Sequence, residues 1–305
     1  VQPAGVHVIV AGCRARRPGG FEFERGDIEM NVNRHVEARF GLPGDTGKSV
    51  EENETLVSIL TRRSQRDFKS DPVDEDLLNT LLAAAFSAPS KSDLQQACVI
   101  HVQDRDKQRR IAEMKDSTRW AAEAPVFLVW CGDSRRIRRL AEWRSHPFAN
   151  DHLDAFMNAA VDAGICMQTF IVAAESYGLG CCPVSEIRNH VQQLSDELEL
   201  PKYVFPVAGL AVGWPRALSA LSMRLPMSVT LHADRYDDGN LIEDVSAYDR
   251  RREEYAPTAP EKQRLVEEFG VSGDYGWSEN RTRQYSKPAR DDFGRYIRKQ
   301  GFNLD

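Results

Sequence analysis

Residues 154–177 form a helical stretch that has almost no polar face. Phe156, Met157, Val161, Ile165, Met167, Phe170 and Ile171 are spread around the full turn, with Ala159, Ala160, Ala163, Gly164, Cys166, Ala173 and Ala174 between them. A helix apolar on nearly every face has to be buried, and its small residues let a second backbone come close. The residues alone leave two burials open, the centre of a core or the seam between two subunits. Either way the chain must cover this rod, which rules out a loose array of surface helices. Gly178-Leu179-Gly180 follows as a left-handed stop.

The remaining pattern supplies the cover. Asn53 is placed to cap a helix carrying Leu56, Ile59 and Leu60, and Asp74 to cap a second whose Leu77, Leu78, Leu81, Leu82 and Ala85 form one stripe. Pro89 ends it. Residues 97–102, 126–131 and 204–212 are short apolar runs that read as buried strands, and 228–232 reads as a last one. Val191, Leu194 and Leu198 mark an amphipathic helix that stops before Pro201. Residues 1–50 lack periodicity and are rich in Gly, Pro and Arg, so a disordered leader is expected there, with 1–29 dispensable. A core domain is expected over 51–236. Residues 237–305 are charged, are broken by Pro257, Pro260 and Pro288, and hold too few apolar residues for a core of their own, so they are expected to wrap the first domain as an arm.

Composition limits the partners. A formal charge of −6 over 305 residues argues against bulk attraction to nucleic acid or an anionic membrane, so anion binding has to come from a local cluster of Arg and Lys. No uninterrupted apolar run approaches the roughly 18 residues of a membrane span. Six cysteines without a CxxC pair, mostly in apolar stretches, read as reduced thiols and suggest a cytoplasmic address. Other chemistries lack their motifs, since there is no GxSxG elbow and no HExxH, and the seven histidines are scattered, so no metal is expected.

The local basic cluster is Arg62-Arg63-Ser64-Gln65-Arg66. Guanidinium forks match phosphate oxygens and a serine hydroxyl adds a neutral donor, although a basic run after a helix is equally a solvated face or a dipole partner. Its companions are Ala88-Pro89-Ser90-Lys91-Ser92, the long helix ending in Gly178-Leu179-Gly180, and Pro183-Val184-Ser185-Glu186. In this order the motifs resemble the FMN-dependent nitroreductase and flavin reductase family over residues 54–232, with a looser likeness to its larger, NADPH-preferring branch beyond.

That resemblance implies an α+β fold with a central mixed sheet flanked by helices, in an intertwined homodimer seamed along residues 154–177. It implies FMN as cofactor and NADPH or NADH as hydride donor. Arg62, Arg63 and Ser64 would hold the phosphate and ribityl chain, with Arg66 near the pyrimidine edge, where a positive charge stabilises the charge that hydride uptake brings. Pro89, Ser90, Lys91 and Ser92 match the segment that reaches the flavin from the partner subunit. Pro183, Val184, Ser185 and Glu186 would lay backbone over the flavin edge, and Arg224 would be a second phosphate ligand. Two departures stand out: Asp93-Leu94-Gln95-Gln96 replaces an Asn-Gln-Pro-Trp type sequence, and Ser222 replaces the lysine expected two residues before Arg224. Seven basic residues lie between Arg281 and Lys299, and by position Arg281, Arg283 and Lys287 are candidates for the 2′-phosphate of NADPH, with a solvated helix face as the alternative. The implied activity is ping-pong reduction of a small aromatic acceptor: a nitroaromatic, a quinone or free flavin. The rival readings are a non-catalytic FMN-binding or sensing protein and a flavin-fragmenting or dehalogenating relative on the same fold.

Overall fold

The computed structural model describes residues 31–305. Expectations for residues 1–30, including the dispensable segment 1–29, lie outside the described residues. From Asn31 onward the leader reading is corrected, because residues 33–40 form helix α1 (Asn33–Phe40). The Asn33 amide donates to the carbonyls of Gly44 and Thr46, and the Val32 N–H donates to the Val50 carbonyl. These bonds fold the Gly- and Pro-rich stretch back onto the helix, so it has partners that composition does not reveal.

The expected caps form. The Asn53 side chain accepts from Leu56 N at the start of α2 (Glu54–Thr61), and Asp74 accepts from Leu77 N at the start of α3 (Glu75–Phe86). Strand β1 (Ala97–His101), helix α4 (Arg105–Glu113), strand β2 (Val126–Asp133) and helix α5 (Arg135–Trp143) lead into the long helix α6 (Leu153–Ser176). Strand β3 (Gly180–Val184), α7 (Val191–Glu197) and β4 (Val204–Gly213) complete the sheet layer, followed by α8 (Met227–Thr230), α9 (Leu241–Tyr255), α10 (Val266–Phe269), α11 (Trp277–Tyr285) and α12 (Phe293–Lys299).

The sheet runs β1-β2-β4-β3 with every neighbour antiparallel. Its mixed character reduces to one parallel bridge between Ser64 and Cys181. Pro206 sits inside central strand β4 because the register with β2 slips between Trp130 and Cys131. That bulge is where a residue without an N–H is tolerated. The expected strand over 228–232 is instead the short helix α8, led by Pro226 and left without a sheet neighbour; Leu231 beside it is exposed. Gly178 takes the left-handed turn after α6 (φ 84°), whereas Gly180 opens β3, where a Cβ would stand 2.7 Å from Gln65 Cγ.

Helix α6 crosses one face of the sheet, joining Phe170, Ile171 and Ala163 to Leu81, Trp130 and Leu210. The other face packs Phe127 and Val129 against Ile111, Ala121 and Leu194. The C-terminal residues Tyr296, Ile297 and Phe302 pack with Ala159, Val191 and Phe205 at the near end of α6. By length and mean hydropathy (1.4 over its 18-residue window) α6 also meets the measure of a membrane span, which the run-length argument missed. Its buried Asp162 and its packing across the sheet make it a core helix.

Candidate functional site

Helix α2 ends where Thr61 donates its hydroxyl to the Val57 carbonyl, and the chain then leaves helical geometry at Arg62 (ψ 146°). Ser64 bridges Cys181, and the Gln65 N–H donates to the Cys181 carbonyl at 3.1 Å. The arginine-rich segment therefore runs beside β3, the strand that delivers Pro183 to Glu186. Two stretches more than a hundred residues apart in sequence thus share one sheet edge.

Within this edge the arginines differ. Arg62 pairs with Glu175 near the C-terminal end of α6 at 3.2 Å, with both side chains largely buried. Burial pushes the Glu175 carboxyl up in spite of Arg62. Arg63 has a buried Nε with no hydrogen-bond partner. Arg66 is exposed over the Trp120 ring at 5.8 Å and takes part in no ion pair among the described residues, since Asp67 pairs with Arg216. Arg224 bonds the Ser222 hydroxyl at 2.8 Å, and its N–H donates to the Arg39 carbonyl. Arg39 itself feels Arg224, Arg62 and Arg63, with Glu175 the opposing charge. Four guanidiniums against one carboxylate make a site that favours an anion.

At the end of β3, Pro183 is exposed and Val184 buried. Glu186 accepts from Ser117 Oγ at 2.9 Å, and the Ser185 carbonyl accepts from Arg290. Nearby Arg188 is half-buried: it donates to the Val207 carbonyl, and burial pushes its pKa down.

Pro89, Ser90, Lys91 and Ser92 are placed elsewhere. Asp162, fully buried in the middle of α6, accepts from Ser90 Oγ at 2.8 Å, Gln96 N at 3.0 Å and Lys91 N at 3.2 Å. Ser92, Asp93 and Gln95 all take left-handed backbone angles (φ 51°, 56° and 51°). Such angles persist in non-glycine residues only where the surroundings fix them. The Lys91 ammonium meets Asp154 at 3.8 Å. Asp162 and Glu175 are thirteen residues apart on one helix, about 20 Å, so a single protomer does not unite this segment with the arginine cluster.

The basic C-terminal residues divide sharply. Arg281 is half-buried and, with Arg224, Arg252, Ser222, Tyr248 and Trp277, lines a cavity of about 610 Å³. Arg283 is corrected to a structural role: it is 4% exposed, donates to Glu279 and to the carbonyls of Arg264 and Gly270, and lies near the Phe269 and Tyr275 rings. It has no reach to a ligand. Lys287 is exposed and paired with Glu268 at 2.6 Å. Arg39, Asp162, Glu175 and Arg252 escaped the sequence reading. An acidic residue in the middle of an apolar helix was the one available signal, and it pointed to Asp162.

The sequence model of the nitroreductase family matches residues 59–214, and that of the family's C-terminal domain matches residues 222–305. The chain belongs to the nitroreductase family. Among curated nitroreductase relatives, FMN reductase NAD(P)H of Bacillus subtilis (strain 168) is 34% identical over 257 residues, covering 83% of this chain and 99% of the relative. NADPH-flavin oxidoreductase of Vibrio harveyi is 28% identical over 249 residues, covering 82% and 98%. Among solved structures, B. megaterium NfrA2 superposes with a TM-score of 0.75 at 32% identity, covering 83% of this chain and all of that one. NADPH:FMN oxidoreductase from Vibrio harveyi complexed with NAD+ gives 0.71 at 28%, covering 82% and 98%. Helix α1 and most of α2 precede the matched part of this nitroreductase.

Proposed function

We propose that this nitroreductase is an FMN-dependent NAD(P)H oxidoreductase that reduces nitroaromatics, quinones or free flavin in a ping-pong cycle. The observation that carries the reading is the arginine cluster that Arg39 gathers from α1, the Arg62–Arg63 segment beside β3 and the 222–224 segment: four guanidiniums facing one carboxylate, with the Arg63 Nε buried and unpartnered. That donor set fits a phosphate monoester. When bound, FMN supplies reversible hydride uptake, and the protein supplies orientation and electrostatics. Arg62, Arg63, Ser64 and Arg224 would hold its phosphate end. Arg66, exposed and in no ion pair among the described residues, would set positive charge near the pyrimidine edge, and backbone from Pro183 to Glu186 would border the ring.

Purified protein should be yellow and should bleach on anaerobic addition of NADPH. Absence of flavin would overturn the reading, and flavin that stays oxidised would favour the non-catalytic sensor.

Subunit pairing belongs to the same proposal. The segment Pro89–Ser92 lies about 20 Å along α6 from the arginine cluster of its own protomer. A homodimer seamed on α6 would instead bring it to the partner's site. Leu153, Met157, Val161 and Ile165, four residues apart, form an exposed stripe on α6, and nothing lies within 4 Å of where a Gly164 Cβ would be. Such an apolar face on a buried-type helix fits a second copy.

Arg62→Ala should weaken FMN binding by roughly 10- to 100-fold, the worth of a charged hydrogen bond of about 1.5–3 kcal/mol. It should also lower Tm by leaving Glu175 buried and unpaired. Adding Glu175→Gln should restore Tm without restoring FMN affinity, as titration and thermal melts would measure. Arg66→Ala should act chiefly on the flavin's reduction potential; equal affinity losses in both variants with an unchanged potential would contradict this division.

For the donor, Arg281→Ala should raise KM for NADPH roughly tenfold while sparing NADH, because Arg281 and Arg252 face one cavity and a 2′-phosphate adds charge for them to meet. The preference should shrink as salt rises. Lys287→Ala, already neutralised by Glu268, is expected to change little. Steady-state kinetics with both donors would check this, and a preference indifferent to Arg281 and to salt would remove the cavity from donor recognition.

A further inference from the structure

Helix α1 lies before the family-matched residues, and its penultimate residue is a buried arginine. Arg39 Nε donates to the Leu60 carbonyl at 2.8 Å, Nη2 to the Arg62 carbonyl at 2.6 Å and Nη1 to the Ser222 carbonyl at 2.9 Å. One guanidinium thus ties together the two chain segments, separated by some 160 residues of sequence, that carry Arg62 and Arg224. The Arg39 carbonyl accepts from the Arg224 N–H at 2.9 Å. Gly41, two residues on, takes a left-handed turn (φ 64°), and a Cβ there would collide with Met223 Sδ, so this turn presses directly on the 222–224 segment.

We propose that α1 is a part of the cofactor's phosphate site that this chain adds to the family fold, with Arg39 as a positioning residue that sets the spacing of Arg62 and Arg224 and lends the site its charge. The inference rests on the FMN reading above. Five donor hydrogens serve three carbonyls, all of them neutral, so the charge on Arg39 is not cancelled by its own hydrogen bonds. Burial, then Arg224, Arg62 and Arg63, push its pKa down to about 10, and Glu175 is the opposing charge. A buried cation in that company gains from an incoming anion. Its position is also telling, because Arg39 abuts Ser222, where the family resemblance leads one to expect a lysine. A charge missing from one segment is returned from another.

The test compares FMN with riboflavin, which has the same ring and no phosphate. Purified wild type, Arg39→Met and Arg39→Lys are titrated with each flavin by fluorescence quenching, and thermal melts are recorded. Arg39→Met should raise the FMN Kd at least tenfold and leave the riboflavin Kd within twofold, so that discrimination between the two flavins narrows. Arg39→Lys keeps the charge but loses the fork to the carbonyls of Leu60, Arg62 and Ser222, and should recover part of the discrimination. Equal loss for both flavins would mean a merely structural role and would overturn the proposal, as would no loss for either. If Arg39→Met does not fold, Arg39→Lys decides: an FMN Kd raised at least threefold with riboflavin unchanged supports the proposal, and unchanged FMN binding overturns it. Wild type that binds both flavins equally would instead overturn the phosphate-site reading itself.

Discussion

Val161→Asp is expected to convert the protein into a monomer that purifies without flavin. Val161 is 43% exposed at the centre of the Leu153, Met157, Val161, Ile165 stripe. In a two-fold pairing of α6 on α6, each substituted residue acts twice. Every buried side chain of this size lost from the seam removes about 1.5–3 kcal/mol. Two carboxylates brought within several ångströms add repulsion of about 2–4 kcal/mol at an effective dielectric near 20. The sum exceeds what most homodimers of modest interface tolerate. In the proposed pairing flavin should leave with the partner, because Pro89–Ser92 would reach the site from across the seam. Sedimentation velocity read together with absorbance in the flavin band would check both halves, and a Val161→Asp dimer, or a monomer retaining full flavin, would refute the α6 seam.

Asp162→Ala should lower Tm by on the order of 10 °C and reduce flavin occupancy. The carboxylate accepts from Ser90, Lys91 and Gln96 inside the fold. Each charged hydrogen bond contributes about 1.5–3 kcal/mol, and in a chain of this size each 1 kcal/mol is about 2–4 °C. Substitution also releases the left-handed residues Ser92, Asp93 and Gln95, whose geometry the carboxylate helps impose. Asp162→Asn should fall between, since it keeps one acceptor oxygen but turns an amide toward donors. A thermal melt with parallel flavin quantification measures this, and an Asp162→Ala protein melting like wild type would remove Asp162 from its organising role.

The sequence was most legible where one principle acts alone. Asn53, Asp74 and Pro89 mark helix boundaries through local hydrogen bonding and sterics, and each does so in the structure. The uniform apolarity of α6 announced burial without saying against what. Strand β3 was hidden because Gly180 reads as part of the stop after α6 and Pro183 argues against a strand. It is a strand only because β4 pairs with it at the sheet margin, where a proline costs little. Arg281 and Arg283 look alike in a basic run, yet two residues on a helix are about 200° apart. One faces a cavity and the other is enclosed. Arg39 was invisible for a different reason, since its three acceptors are backbone carbonyls and carbonyls leave no mark in a sequence.

Helix α6 has a further consequence through its two acidic residues. Asp162 fixes the Pro89–Ser92 segment, while Glu175 holds Arg62. In the proposed homodimer the same rigid rod would act as a ruler between the two cofactor sites. Inserting a single residue between the two acids would turn one against the other by about 100° and, in the proposed dimer, misalign both sites at once.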